Sequence, residues 1–286
     1  MSYTERSPFR RPLVVVPAVL VPVVAAGWFA YSGTGGGGTT TATAAPMSAT
    51  PAPAAPDAKA PVKPLTGRTI VIDPGHNPTN YRHPSEINRP VDIGTNKKEC
   101  DTTGTSTNSG YAEAQFTLDV AHRMRTLLES EGAKVKLTQD ADRPFGPCVD
   151  ERARIGNAAK ADAVVSVHAD GSGAGNRGFH VILPGAVHEG AADTRPIVAP
   201  SKRLGELVAN GFRRTTGSAP SNYVGSGTGL VTRTDLGGLN LSTVPKVFIE
   251  CGNMRDPKDA ALLTSGAWRQ KAAQGISEGI VSFLHG

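Results

Sequence analysis

The sequence predicts an α/β fold: a single domain on a mostly parallel, twisted sheet with helices on both faces, preceded by an export or anchor segment and a disordered linker. Three observations predict it. Nearly uninterrupted apolar runs (TIVI at 69–72, AVVSV at 163–167, KVFI at 246–249) alternate with amphipathic stretches, and a strand that is apolar on both sides is one covered on both sides. Residues 13–30 are apolar and uncharged. Residues 32–64 are dominated by Gly, Ala, Pro and Thr, a composition with little to bury. The 286 residues therefore divide into a signal peptide or membrane anchor (1–31), a linker (32–64) and a domain (65–286) large enough to build its own core.

Taken in order, Arg6, Arg10 and Arg11 precede the apolar run, the arrangement of an export signal. The run reaches the length of about 18 residues at which a membrane helix becomes feasible. Pro17 and Pro22 interrupt it, which membrane helices tolerate. Ala42-Thr43-Ala44 is a small-x-small triplet far beyond the apolar core, so an uncleaved anchor stays open, and membrane contact is expected only through this segment. The net charge of +5 is not a nucleic-acid footprint: residues 1–64 hold five Lys/Arg and two Asp/Glu (+3), the remainder 25 and 23 (+2). No basic run beyond residue 12 exceeds two residues, which excludes nucleic acid as a partner.

Within the domain, strands are expected at 68–73, 133–139, 161–170, 178–185 and 246–252. Helices are expected at 112–131, with Phe116, Val120, Met124, Leu127 and Leu128 on one stripe, at 149–159, at 202–216, and at 259–284 with a break near Ser265-Gly266. The polar segment 77–110 departs from this rhythm, and so long a loop is functional or separately stapled. Of three cysteines, Cys251 lies in the apolar run VFIECG and reads as a free core thiol. Cys100 and Cys148 lie in polar segments and are the preferred disulfide.

In open α/β sheets ligands gather beyond the carboxyl ends of the strands. Three strands end there in His76, in His168 with Asp170, and in Glu250, while Glu113 opens the first long helix at the same edge. Two imidazoles and a carboxylate suit a three-point zinc site with a fourth position for water, and a further carboxylate can handle the proton. Each residue also has a plain structural reading. His76 after Pro-Gly fits a turn, Glu113 favours a helix start, and His168 fits a satisfied core position. Glu250 is hardest to dismiss, because an acid inside KVFIECG is costly unless paired or used.

IVIDPGHN, Glu113 at the head of a helix, ERARIGNAAKADAVVSVHADGS, and VPKVFIECGN with PKDAALL together resemble the zinc-dependent N-acetylmuramoyl-L-alanine amidases of bacterial cell walls, the amidase-3 type. The layout is similar to that of the single-domain mycobacterial and actinobacterial members. The resemblance implies one Zn2+ per chain on His76, Glu113 and His168, and Glu250 as catalytic acid/base. It implies an exported, monomeric hydrolase of the bond between N-acetylmuramic acid and L-alanine in peptidoglycan, acting on muropeptides in the periplasm or cell wall. A zinc carboxypeptidase or endopeptidase on stem peptides, or a non-catalytic wall-binding module, are the alternatives. The chain departs from the family pattern in the long 77–110 insertion, which leaves Glu86 and Glu99 as competitors of Glu113, and in Cys251–Asp256 after the acid. Residues 185–202 are too few for a self-blocking helix, so an open cleft is expected. Among other candidates, His180 is a substrate contact or a half-exposed strand residue, and Asp170 orients a ligand histidine. Asp73 caps the turn before Gly75, while Arg152 and Arg154 lie on a solvated helix face or pair with the peptide's carboxylates. His83, His122, His188 and His285 are surface residues, and 226–229 lacks the context of a phosphate cradle.

Overall fold

A computed structural model describes residues 62–286, so the export segment 1–31 and most of the linker lie outside the described residues. Among the described residues no helix is long and apolar enough to cross a membrane. Leu65 is fully buried, and its N–H donates to the Glu131 carbonyl.

The chain enters the sheet at β1 (Thr69–Pro74). The 77–110 segment folds into a short helix α1 (Pro84–Ile87) and a hairpin, β2 (Pro90–Asp92) with β3 (Lys97–Glu99). The expected disulfide, Cys100–Cys148, ties it to the body of the domain. Helix α2 (Glu113–Ser130) buries Phe116, Val120, Met124 and Leu128, and β4 (Lys134–Leu137), α3 (Val149–Ala158), β5 (Ala163–Asp170) and β6 (His180–Pro184) follow.

Between Gly185 and Thr194 there is only a small hairpin, β7 (His188–Glu189) with β8 (Ala192–Asp193), so no helix plugs the cleft from this side. Helix α4 (Arg195–Thr216) starts seven residues before the expected position. Pro196 and Pro200 read as breakers in sequence. Pro196 falls in the first turn, where its missing N–H costs nothing, and Ile197, Ser201, Leu204, Val208 and Phe212 continue one buried stripe past Pro200. The remaining elements are β9 (Leu230–Arg233), α5 (Gly237–Asn240), β10 (Lys246–Asn253), α6 (Pro257–Leu263) and α7 (Gly266–His285). Strand β9 has too short an apolar pattern to be read from sequence.

The six-stranded sheet has the order β4-β1-β5-β10-β6-β9. Every pairing is parallel except that of β10 with β6. Strand alternation gives its two faces different chemistry. Ile70, Ile72, Val165, Val167, Val247, Ile249 and Cys251 join one large apolar core with α2, α4 and α7. The intervening residues Asp73, Ser166, His168, Lys246, Phe248 and Glu250 occupy the other face, where α3 and α5 give thinner cover.

Asp73 does not cap a turn. It is fully buried and accepts four hydrogen bonds: Oδ1 from Thr138 Oγ1 (2.6 Å) and Arg152 Nη1 (2.8 Å), Oδ2 from Ser166 Oγ (2.9 Å) and Lys246 Nζ (3.0 Å). Nor does Arg152 face solvent. Its guanidinium also reaches the carbonyls of Pro74, His76 and Pro147 and, at 2.9 Å, Asp101 Oδ2. Arg154, two positions on, is exposed as expected. Burial alone would raise the Asp73 pKa, but Lys246 and Arg152 hold it far below the usual carboxylate range.

Asp73→Asn removes the charge that compensates two buried cations, and the loss expected is about 3–5 kcal/mol in urea denaturation. Because the folded pKa lies below the unfolded value of about 3.9, the contribution is complete above that pH and is lost on acidification below it. The stability gap between wild type and Asp73→Asn should therefore narrow as pH falls through 4; a gap independent of pH would contradict the ionic role.

Candidate metal centre

His76 sits beyond the carboxyl end of β1 with φ of 62°, a left-handed conformation that costs a non-glycine residue about 1–3 kcal/mol. Its carbonyl is held there by Arg152 Nη2 (2.9 Å) and Gln139 Nε2 (3.1 Å). The Thr102 carbonyl lies 3.1 Å from His76 Nδ1, and a carbonyl can only accept, so Nδ1 carries the proton. Asp101 Oδ1 lies 3.5 Å from the same nitrogen. The other ring nitrogen, Nε2, faces Glu113 Oε2 at 3.2 Å.

Glu113 is the first residue of α2 and is buried. Its Oε2 accepts from Thr105 N–H (2.9 Å) and its Oε1 from Ala169 N–H (3.2 Å), which fixes the carboxylate plane. Oε1 also lies 3.0 Å from His168 Nδ1. The His168 ring is sandwiched, stacking on Phe248 with centroids 5.2 Å apart and pressing on Gly75, where an added Cβ would come within 2.3 Å of Cε1. Gly104, with φ of +72°, approaches the other side of the cluster, and a Cβ there would lie 2.7 Å from both Glu113 Oε2 and His76 Cδ2.

One ligand atom each from His76, Glu113 and His168 lies within 4.8 Å of the others. Two imidazoles and a carboxylate, each held by further hydrogen bonds or stacking, are the donor set of a zinc-type site with an open position. The electrostatics fit a cation. Burial disfavours charge on both Glu113 and His76, yet their mutual attraction, with His168 and Asp101 adding to it, drives the Glu113 carboxyl well below its usual range and pushes His76 up to about 10.

Glu250 pairs in register with His168 across β5 and β10 and lines the same cleft, about 290 Å3 in volume. Its Oε2 is buried with no hydrogen-bond partner, and burial, with the Glu113 and Asp170 charges, pushes its pKa well up. An unpartnered, raised carboxyl beside a metal-type cluster is a candidate for proton transfer.

Other expectations change. His180, in register with Glu250 on its other side, is buried rather than half-exposed, with its ring edge-on to Tyr223 at 5.9 Å, and burial depresses its pKa. Asp170 does not orient a ligand histidine: its carboxylate accepts from Tyr223 Oη (2.6 Å) and Gly171 N–H (2.6 Å). Glu86 pairs with His83 at 3.5 Å and Glu99 lies exposed on β3, so neither competes with Glu113. His122 pairs with Asp140, and His188 and His285 are exposed. Sequence reasoning missed Thr102, Gly104, Thr105 and Tyr223. Only the insertion's Gly and Thr content pointed to that loop, and nothing local pointed to Tyr223.

Fold and cluster together place a candidate metal site at the carboxyl rim of a mostly parallel α/β sheet. The chain belongs to the N-acetylmuramoyl-L-alanine amidase family of the amidase-3 type, whose model matches residues 70–282. It is similar to N-acetylmuramoyl-L-alanine amidase Rv3717 of Mycobacterium tuberculosis, 40% identical over 222 residues that make up 77% of this chain and 88% of the relative. Among solved structures it resembles the N-acetylmuramyl-L-alanine amidase Ami1 of Mycobacterium smegmatis, at 38% identity and a TM-score of 0.70 over 77% of this chain and 98% of that one. It also resembles the apo form of Ami1 from Mycobacterium abscessus, at 39% identity and a TM-score of 0.70 over 77% of this chain and 100% of that one.

Gly75→Ala forces the His168 ring off Phe248. Such overpacking costs about 1–3 kcal/mol, and the His168 imidazole resonances should shift in NMR spectra of the folded variant. Unshifted resonances would contradict the close approach.

Proposed function

We propose that this chain hydrolyses the amide between the lactyl group of N-acetylmuramic acid and the L-alanine of the peptidoglycan stem peptide. The observation that carries the reading is the unpartnered Glu250 carboxyl beside the His76, Glu113 and His168 cluster, in a chain of the amidase family. His76 through Nε2, His168 through Nδ1 and Glu113 through its carboxylate would hold one zinc ion. Bound there, zinc supplies Lewis acidity toward water and toward an amide carbonyl. Glu250 takes a proton from the attacking water and returns it to the departing alanine nitrogen, so that alanine leaves as a neutral amine. Its raised affinity for protons suits the second half of that cycle, and the apolar walls of Phe248 and Ile182 limit competing water.

The same reading takes residues 1–31 as an export signal or anchor, 32–64 as a tether and 65–286 as the catalytic domain. The enzyme would then work outside the cytoplasmic membrane, as a monomer, on muropeptides and wall glycan.

The test is release of peptides headed by L-alanine from muropeptides, followed by mass spectrometry. Glu250→Gln should lower the rate by about 10²–10⁴-fold. Chelation should abolish it, and His76→Ala or His168→Ala should each bring zinc content from one per chain to near zero. Undiminished cleavage by Glu250→Gln would overturn the assignment, and release of terminal D-alanine instead would make the enzyme a carboxypeptidase.

A further inference from the structure

A second cavity, about 550 Å3, opens beside the metal cleft, with Tyr81, Thr103, Ser106 and Arg255 on its walls. Gly104, Thr105 and Gly171 line both, so the two cavities share a wall. The volume falls within the roughly 300–1,000 Å3 of small-ligand sites. Tyr81 is 63% exposed and, with Val62, one of two large apolar side chains left so open among the described residues.

A lone exposed ring is ordinary on a protein surface, but the chain on either side of this one is anchored. Its neighbour Asn80 is fully buried, donating through Nδ2 to the Thr102 carbonyl (2.7 Å) and accepting at Oδ1 from Gly146 N–H (2.9 Å). Thr79 Oγ1 donates to the Pro144 carbonyl at 2.6 Å. The Arg82 guanidinium lies over the Tyr81 ring, 5.2 Å from its centroid, and its Nε donates to the Tyr81 hydroxyl at 2.8 Å. The Thr102 carbonyl that anchors Asn80 also accepts from His76 Nδ1, so the backbone that carries the ring is tied to the reactive centre. A platform already ordered loses little entropy on binding.

The lining matches a sugar. An aromatic face packs against the C–H face of a pyranose. Around it stand the Thr103, Thr105 and Ser106 hydroxyls and the Arg255 guanidinium, which spends one N–H on the Ser106 carbonyl at 3.3 Å and has others to offer hydroxyl or N-acetyl oxygens. No carboxylate lines this cavity. A different cavity, lined by His76 and His168 themselves, carries Lys98, Glu99 and Asp235, a charged wall suited to peptide. We propose that Tyr81 and Arg255 form a subsite for an N-acetylhexosamine of the glycan strand, beside the muramoyl residue whose amide is cut. The subsite rests on the amidase reading above.

The test compares kcat/KM of the full chain on a disaccharide muropeptide and on the same peptide carried by N-acetylmuramic acid alone. The ratio of the two should fall about five- to ten-fold in Tyr81→Ala and be retained in Tyr81→Phe. A general loss of folding would lower both substrates together and leave the ratio unchanged, so an unchanged ratio overturns the proposal. A penalty that grows with stem-peptide length instead of glycan length also overturns it. Calorimetric titration with a peptide-free β-1,4-linked N-acetylglucosamine tetramer decides the subsite independently of hydrolysis. Binding that weakens in Tyr81→Ala supports it, and no binding, or binding indifferent to Tyr81, refutes it. Failure of the wild type to cleave either muropeptide would count against the amidase reading alone.

Discussion

A carboxylate with no access to water can persist only if positive charge and hydrogen bonds surround it, and Asp73 is the residue this structure is arranged around. Lys246 from β10, Ser166 from β5, Thr138 after β4 and Arg152 from α3 all converge on its two oxygens. Strand order across the centre of the sheet is thereby tied to the docking of α3. The chain of charge continues outward from Lys246 through Asp73 to Arg152, to Asp101 and on to His76. One end of this chain lies inside the fold and the other is a candidate metal ligand.

That continuity explains how a residue in a strained conformation can serve a site that demands fixed geometry. His76 could relax only by giving up bonds to Arg152 and Gln139 through its carbonyl and to Thr102 through its ring. Arg152 cannot move without stranding Asp73 and Asp101. The disulfide adds a covalent tie close by, since Cys100 immediately precedes Asp101 and Cys148 is the residue before α3. The insertion is therefore part of the site, because it supplies the carbonyl and carboxylate that orient the imidazole.

Much of this was legible in the sequence. The apolar runs named β1, β5 and β10, and a strand that stops in Pro-Gly-His or runs into His-Ala-Asp shows which residues stand at the rim. Glu113 was legible because a helix that follows a strand begins at that rim. Asp73 was not, because Asp before Pro-Gly reads as turn chemistry and its partners Thr138 and Lys246 lie 65 and 173 residues away. Arg152 looked solvated for a related reason: its helix is polar overall, and which face meets the sheet is set by the Asp73 carboxylate. Strand β9, four residues long, is held by its pairing with β6 and not by any pattern of its own. Tyr81 lies in a polar loop whose path is drawn by buried Asn77 and Asn80, and local pattern carries no trace of such contacts.

The buried ionic chain holds the His76 imidazole toward Glu113 and His168, the candidate metal position. Asp101→Asn tests it most directly, since the substitution keeps the side chain's shape and removes the charge between Arg152 and His76. The measurement is zinc affinity by competition against a chelator of known strength, on variant protein shown to be folded. Affinity weaker by about 10–100-fold is expected, as for other groups that orient a metal-bound histidine. Affinity equal to that of the wild type would contradict it.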